Sequence, residues 1–295
     1  MSCPVQFRVR RNTPTAWWDG IDTRQPLNRE WTFAKGLELA LIPLPQSAGS
    51  NTLWDLAQGN HVSLGMSGST WRVQNTRPVF NCTNSSAHSC QRPVHWFRSG
   101  DRLTVAGVVR HSSGATYRTY IGQGRSGNAV NRNFQIRFWN STNLEFIYTN
   151  TGSQYQVWRT STSSIDNSIF NHIVVSFVYG SGVVEVFVNG EPLAGGWLSG
   201  NGLGQSINAA PNGCNLGVPP SVSVAENFAG DIANILLWKD VRPDPVTLYD
   251  EWKQNWPNAF NRRRTSSISL PASPGPSGRV RIYGGIGKQL IGGAL

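Results

Sequence analysis

Residues 170–192, FNHIVVSFVYGSGVVEVFVNGEP, restrict the chain more than any other stretch. Ile173, Val175, Phe177 and Tyr179 share one side of an extended segment, because successive side chains on a strand point to opposite faces. Gly180, Ser181 and Gly182 reverse the chain, Val184, Val186 and Val188 line one side of the return, and Asn189-Gly190 turns it again. That pattern predicts a β-hairpin followed by a tight turn. The opposite faces carry Val174, Val178, Val183 and Phe187 beside Ser176, Glu185 and Asn189. Both faces are largely apolar, which predicts central strands of a layered sandwich rather than an isolated hairpin.

The rest of the chain repeats short strand patterns. Leu37, Leu39 and Leu41 alternate with Glu38 and Ala40, closed by Pro43 and Pro45. Residues 103–110, 117–121, 134–139, 144–149 and 155–160 are each β-rich and separated by Gly, Ser and Asn turns, and a last strand spans 232–238. This regular spacing argues for an all-β fold, an antiparallel β-sandwich or jelly roll, rather than parallel βαβ units. Gln135, Arg137, Glu145, Gln156 and Arg159 alternate with apolar neighbours, so these strands are expected to have one wetter face, either a ligand surface or simply a solvated sheet. Residues 51–68 and 195–220 read as loops. Asp244-Pro245 supplies an N-cap and a first-turn proline for a short helix with Leu248 and Trp252 on one face, expected to plug an edge or end of the sandwich. Three segments result: an extended basic N-terminal arm over 1–35, the sandwich over 36–260, and a basic Gly/Pro/Ser-rich tail over 261–295.

Composition suits this reading: 31 glycines and 12 tryptophans, with 14% charged residues, fit many turns and aromatic packing between sheets. No apolar run approaches the roughly 20 residues of a membrane-spanning helix, and the first residues hold no apolar signal core, so the protein is expected to begin in a cytoplasm. Cys82 and Cys90 bracket a polar loop and either close a local disulfide or stay reduced, whereas Cys3 and Cys214 are far apart; the composition favours reduced, structural thiols.

His172-Ile173-Val174-Val175 leading into Val184-Glu185-Val186-Phe187-Val188-Asn189-Gly190 resembles the W-H-x-V-A-V-T-Y-D-G … x-x-L-Y-V-N-G hairpin of the concanavalin A-like lectin/glucanase superfamily, in its laminin-G-like branch. Phe170-Asn171 stand where that motif usually has Trp. Residues 228–238, FAGDIANILLW, resemble its late strand F-x-G-x-I-x-x-V-x-I-W, and 246–260 its short helix and coda. Leu27-Asn28-Arg29, Ala34-Lys35-Gly36-Leu37, Leu53-Trp54-Asp55-Leu56 and Gly59-Asn60-His61 resemble the opening of laminin-G-like proteins met in phage and prophage genomes. The resemblance spans about residues 27–260 and implies the fold. It decides function weakly, because the fold hosts lectins, glycosidases, adhesion modules and structural proteins.

Charge is divided unevenly. Residues 1–35 hold six basic and three acidic side chains, 261–295 hold six and none, and the remaining 225 hold fourteen and thirteen. The ends therefore carry +9 of the formal +10, which suggests an acidic partner. Arg8, Arg10, Arg11, Arg262, Arg263, Arg264, Arg279 and Arg281 are the candidate docking cations, with Trp17-Trp18 either anchored in a neighbouring subunit or packed back on the domain. Solvated tails are the plainer alternative. Nucleic acid is not expected, since the ends lack a recognition fold. Val280, Ile282, Leu290 and Ile291 would suit a strand added to another chain's sheet.

Catalysis is not expected. Glycosidases of the resembled superfamily carry E-x-D-x-x-E, and none of the seven glutamates shows that spacing; G-x-S-x-G, H-E-x-x-H and P-loop signatures are absent as well. No cofactor is expected, with calcium the one ion the resemblance leaves room for. Asp55 and Asp231 are its candidate ligands, although such an aspartate more often caps a turn. Two noncatalytic expectations remain. The first is a virion structural protein, a capsid decoration protein fastened through its arm and tail to a major capsid protein or to its own copies as a homo-oligomer, and assembled in the host cytoplasm. The second is a carbohydrate-binding adhesin or fibre module that stacks host-surface glycans on Trp139, Trp158 or Trp197.

Overall fold

A computed structural model describes residues 27–42, 52–57, 60–63, 70–74, 77–82, 100–112, 117–124, 132–140, 142–150, 154–161, 165–204, 212–217, 226–254, 256, 259, 282–283 and 289–290. The candidate docking residues Arg8, Arg10, Arg11, Trp17, Trp18, Arg262, Arg263, Arg264, Arg279 and Arg281 lie outside these, as do Cys3 and Cys90. In chain order the elements are β1 (Leu37–Ile42), β2 (Thr52–Asp55), β3 (Asn60–Ser63), β4 (Thr70–Gln74), β5 (Arg77–Cys82), β6 (Arg102–His111), β7 (Arg118–Gly124), β8 (Arg132–Phe138) and β9 (Leu144–Thr149). They continue with β10 (Tyr155–Thr160), β11 (Asn171–Val178), β12 (Val184–Val188), β13 (Glu191–Leu193), β14 (Gly195–Ser199), β15 (Asn212–Leu216), β16 (Gly230–Lys239), α1 (Pro245–Lys253), β17 (Ile282–Tyr283) and β18 (Gln289–Leu290).

Two antiparallel sheets form the sandwich. The first runs β13-β12-β11-β6-β16-β1-β2-β3, with the β4–β5 hairpin joined to the start of β16; the second runs β14-β10-β9-β8-β7-β15. The central hairpin pairs Ile173 with Val188, Val175 with Val186 and Phe177 with Val184. These side chains and Tyr179 enter the core between the sheets together, as the period-two pattern predicts. Asn189 and Gly190 take φ of 54° and 86°, the left-handed pair that a primed two-residue turn demands. At Gly182 (φ 71°) a Cβ would meet the Asn201 carbonyl oxygen at 2.6 Å, so this turn excludes a side chain.

Only β11 is central. β12 is next to the edge strand β13, and Val183 is 56% exposed in the turn. The core itself is aromatic: Phe177 lies 4.9 Å from Phe146, 5.2 Å from Tyr148 and 4.8 Å from Tyr179 between ring centroids, in the tilted and edge-on arrangements that ring quadrupoles favour.

The helix is capped as predicted, Asp244 Oδ2 accepting from Thr247 N at 2.9 Å with Pro245 at its start. It does not plug an edge. It crosses the outer face of the first sheet, where Leu248 joins Val174, Leu236 and Trp238 in a second apolar cluster and Trp252 stacks on His172 at 6.1 Å. Leu27, Trp31 and Phe33, at the end of the expected arm, enter the same cluster, and Trp238 Nε1 donates to the Phe33 carbonyl at 2.7 Å.

The loop expectations for 51–68 and 195–220 are corrected. The first contains the β2–β3 hairpin and the second contains β14 and β15. Both sets lie at or near sheet margins, where backbone ladders hold residues of weak strand propensity. Gly195 shows why a glycine belongs there, since a Cβ would meet the Trp158 ring at 2.4 Å. In the tail, Ile282 and Leu290 pair with each other across β17 and β18, a local closure of small entropic cost, while Val280 and Ile291 lie outside the described residues.

Candidate functional site

Strand alternation sorts the second sheet into two faces. Phe134, Ile136, Phe138, Leu144, Phe146 and Tyr148 point into the core. The register Gln135↔Ile147, Arg137↔Glu145, Arg159↔Glu145 and Tyr155↔Thr149 assembles the other face from β8, β9 and β10. This face is polar, as expected, but it is not a wet sheet: Gln135, Arg137 and Glu145 are all buried.

Its charges are paired across strands. Glu145 accepts from Arg137 Nε at 2.7 Å through Oε2, and through Oε1 from Arg159 Nε at 2.9 Å and Nη2 at 2.5 Å. Glu226, from the segment before β16, faces Arg137 Nη1 at 3.1 Å and Arg132 Nη2 at 3.7 Å, and accepts from Gln135 Nε2 at 2.9 Å. Gln135 also donates to Thr119 Oγ1 at 2.5 Å, and Arg132 donates to the Tyr155 hydroxyl. Burial alone would lower the Arg137 pKa, but Glu145, Tyr155 and Glu226 outweigh it and hold the guanidinium above its ordinary value. Burial pushes the Tyr155 phenol up, against the pull of Arg132 and Arg137, so it stays neutral. Three guanidiniums against two carboxylates leave one surplus positive charge. Removing any member would strand a desolvated partner, which costs more than the pair contributes.

Aromatic rings cap this network at one end. Trp139, directly after β8, has the Arg159 Cζ 3.8 Å from its ring centroid. Tyr117, directly before β7, meets Trp139 edge-on at 4.5 Å and has Arg137 Cζ 4.4 Å from its own centroid. Guanidiniums over aromatic faces are held by the ring quadrupole and by dispersion. Tyr117 sits at φ 62°, a strained conformation for a bulky residue and a frequent mark of binding sites. Both rings are half-buried. In the row Tyr117, Arg137, Glu145, Arg159 and Trp139, the two half-buried rings and the partly exposed Arg159 guanidinium reach the surface above the buried Arg137–Glu145 pair.

The other expected site residues lie elsewhere. Trp158 is on the inward face and buried in the core. Trp197 packs on Phe177 and Tyr148 at 5.9 and 6.3 Å and donates Nε1 to the Gly182 carbonyl at 2.8 Å. Neither is a loop aromatic, because even-numbered positions of β10 and their β14 partner face inward. Gln156 has the same parity and leaves the polar face, its Oε1 accepting from Asn201 N and Gly202 N at 3.0 and 3.1 Å.

The candidate calcium ligands are not brought together. Asp55 Oδ1 accepts from Ala40 N and Ala57 N, each at 3.1 Å, tying the end of β2 to β1. Asp231, on β16, takes Arg110 Nε and Nη2 on Oδ2 at 3.1 and 2.5 Å and Asn81 Nδ2 on Oδ1 at 2.9 Å. Among the described residues no group of three His, Cys, Asp or Glu side chains is placed to hold a metal ion. Cys82 is a buried free thiol whose pKa burial and Asp231 push up, so it is inert. Tyr117, Arg132 and Glu226 carry no sequence signal of their own, and strand register alone reveals them.

Residues 84–245, more than half of the chain, match the family model of the concanavalin A-like lectin/glucanases superfamily. No curated protein sequence matches. Among solved structures, the binding domain of botulinum neurotoxin serotype G superposes with a TM-score of 0.52 at 14% identity, over 74% of this chain and 51% of that one. A Trypanosoma rangeli sialidase in complex with 2,3-difluorosialic acid superposes with a TM-score of 0.50 at 16% identity, over 74% of this chain and 33% of the sialidase. The chain therefore spans about half of the toxin domain and a third of the enzyme, and shares their fold.

Proposed function

We propose, from the premise that the chain belongs to the concanavalin A-like lectin/glucanases superfamily, that it is a non-catalytic carbohydrate-binding module whose sugar surface is the outer face of the second sheet. The observation that carries this reading is the half-buried Trp139 with Arg159 at 3.8 Å over its ring, in line with Glu145, Arg137 and Tyr117. A pyranose offers C–H bonds on one face and hydroxyls at its rim. The aromatic rings suit the first, and donors already fixed by Glu145 and Glu226 suit the second without reorganisation. Both carboxylates are already bound by guanidiniums, which leaves neither suited to the proton donation a glycosidase acid must perform. The surplus positive charge favours glycans that bear a carboxylate or sulfate. A shared fold with a toxin binding domain and with a sialidase holding a sialic acid derivative is in keeping with this reading. On a glycan array, wild-type protein should retain acidic oligosaccharides, and Trp139→Ala should weaken retention about tenfold, or about 1.4 kcal/mol. Retention of neutral glycans alone, or an unchanged Trp139→Ala variant, would overturn it.

A second reading rests on the charge partition. We propose that the basic ends fasten the same module to a virion, as a decoration protein on a capsid lattice, where it would present its glycan face outward. Deleting 1–26 and 262–295 should abolish particle association and leave glycan retention intact. Particle association that survives the deletion would remove this reading and leave the first in place.

A further inference from the structure

Helix α1 buries one side on the first sheet and leaves the other open. Leu248 faces the sheet, whereas Val246 is 52% exposed and Tyr249 and Trp252 are half-buried. The two rings stack at 5.7 Å between centroids, with the Lys253 ammonium 4.5 Å from the Tyr249 centroid. The β12–β13 turn continues this surface, since a Cβ at Gly190 would lie 3.4 Å from the Tyr249 ring. Partly open Tyr and Trp side chains are the anchors that protein contacts use most.

The same surface is acidic. Glu191 and Asp244 are exposed, and Glu185, Asp250 and Glu251 are half-buried. Three cations stand among these five carboxylates: Arg102 and Arg242 both engage Glu185, at 3.2 and 3.1 Å, and Lys253 engages Asp250 at 2.7 Å. Three against five leaves a local balance of −2. Glu191 makes no ion pair with a described residue.

The N-terminal arm carries the complement. Residues 4–18 hold Arg8, Arg10 and Arg11 and no acidic residue. Val5, Phe7 and Val9 alternate with Gln6, Arg8 and Arg10 ahead of Trp17-Trp18, so an extended arm has an apolar face and a basic one. The arm also leaves from the right place. Leu27 is buried beneath the helix in the cluster that holds Leu248 and Trp256, and Asn28 N donates to the Ala259 carbonyl at 2.9 Å. From Leu27 back to Trp18 an extended chain spans about 30 Å, more than the length of α1, about 13 Å.

We infer that residues 4–18 dock along α1 and the β12–β13 turn of their own chain, the tryptophans against Val246 and Tyr249 and the arginines against Glu191 and Asp250. The tether holds the arm at a local concentration of roughly millimolar, well above that of a second copy in dilute solution. An acidic partner of the arm must then displace it from this surface. The docked arm lies along the first sheet, on the far side from Trp139, so the inference stands independently of the glycan face.

The test uses the full chain with a nitroxide on Cys3 and with Cys90→Ser and Cys214→Ser, read as broadening of backbone amide NMR signals. Glu191, Val246 and Asp250 should lose most of their intensity, and Glu145 and Arg159, on the opposite sheet, should keep theirs. Glu191→Arg with Asp250→Arg, both at open positions, should return the Val246 signal. Adding Arg8→Glu and Arg10→Glu to that variant should broaden it again, which shows that the surface is still folded. A mixture of isotope-labelled chains without nitroxide and nitroxide-bearing chains without isotope should show no broadening. An unbroadened Val246 in the wild type, broadening undiminished by Glu191→Arg with Asp250→Arg, or broadening in the mixture, where the arm reaches a second copy, would overturn the inference.

Discussion

Replacing His172 by phenylalanine should remove about 2 kcal/mol of the stability that the protein loses when taken from about pH 7.5 to pH 5. His172 is 1% exposed beneath the helix, between Trp252 and Tyr249, and neither ring nitrogen has a partner. Burial lowers its pKa from 6.5 to about 3. His111 is lowered to about 4, by burial and then by Arg118. Both are therefore neutral in the fold, while an unfolded chain takes up protons near pH 6.5. Stability is unaffected above that pH and falls as the pH drops through it. At pH 5 an unfolded histidine favours its protonated form about thirtyfold, which corresponds to about 2 kcal/mol for each residue. The figure depends on the folded pKa only in requiring that it lie well below 5. Two such residues would take about 4 kcal/mol from a domain whose whole stability is on the order of 5–15 kcal/mol. Urea unfolding followed by tryptophan fluorescence at the two pH values measures the loss. His172→Phe should halve it and leave stability at the higher pH equal or greater, since the stack survives and two orphaned nitrogens disappear. An unchanged loss in the variant, or a His172 NMR titration centred near pH 6.5, would refute the reasoning.

Three other substitutions separate parts of the account. Glu145→Gln leaves Arg137 and Arg159 facing a neutral amide and should cost about 3–5 kcal/mol in the same unfolding assay. Trp158→Ala opens the core and should cost about 3–5 kcal/mol, whereas Trp139→Ala should stay within about 1 kcal/mol and act on ligand retention instead. Asp244→Ala removes the helix cap and should cost about 1 kcal/mol, with a loss of protection for the indole of Trp252.

The sequence made the inner frame legible because period-two alternation and turn glycines coincide there. Ile173, Val175 and Phe177 face the core for the same reason that Leu39 and Leu41 do, and Asp244-Pro245 announces its helix by side-chain chemistry alone. Margins were harder to read. β14 and β15 consist of residues such as Gly195, Gly196 and Asn212 that favour loops, and backbone pairing to β10 and β7 is what extends them. The polar face was half legible. Gln135, Arg137, Glu145 and Arg159 show the alternation, but parity alone does not say that Gln156 and Trp158 turn inward. The pairing of Arg137 and Arg159 through one carboxylate depends on register, and Tyr117 and Glu226 reach the site from outside the strands that form it. Asp55 and Asp231 looked alike in the sequence. Their different fates, a strand tie and an ion pair, come from the neighbours that folding supplies.

The most direct test of the glycan face is a crystal structure of the protein with the acidic oligosaccharide that ranks first on an array. The account predicts a sugar ring against Trp139, with its anionic group toward Arg159 or Arg137. A sugar bound with Trp139 and Arg159 untouched would contradict it.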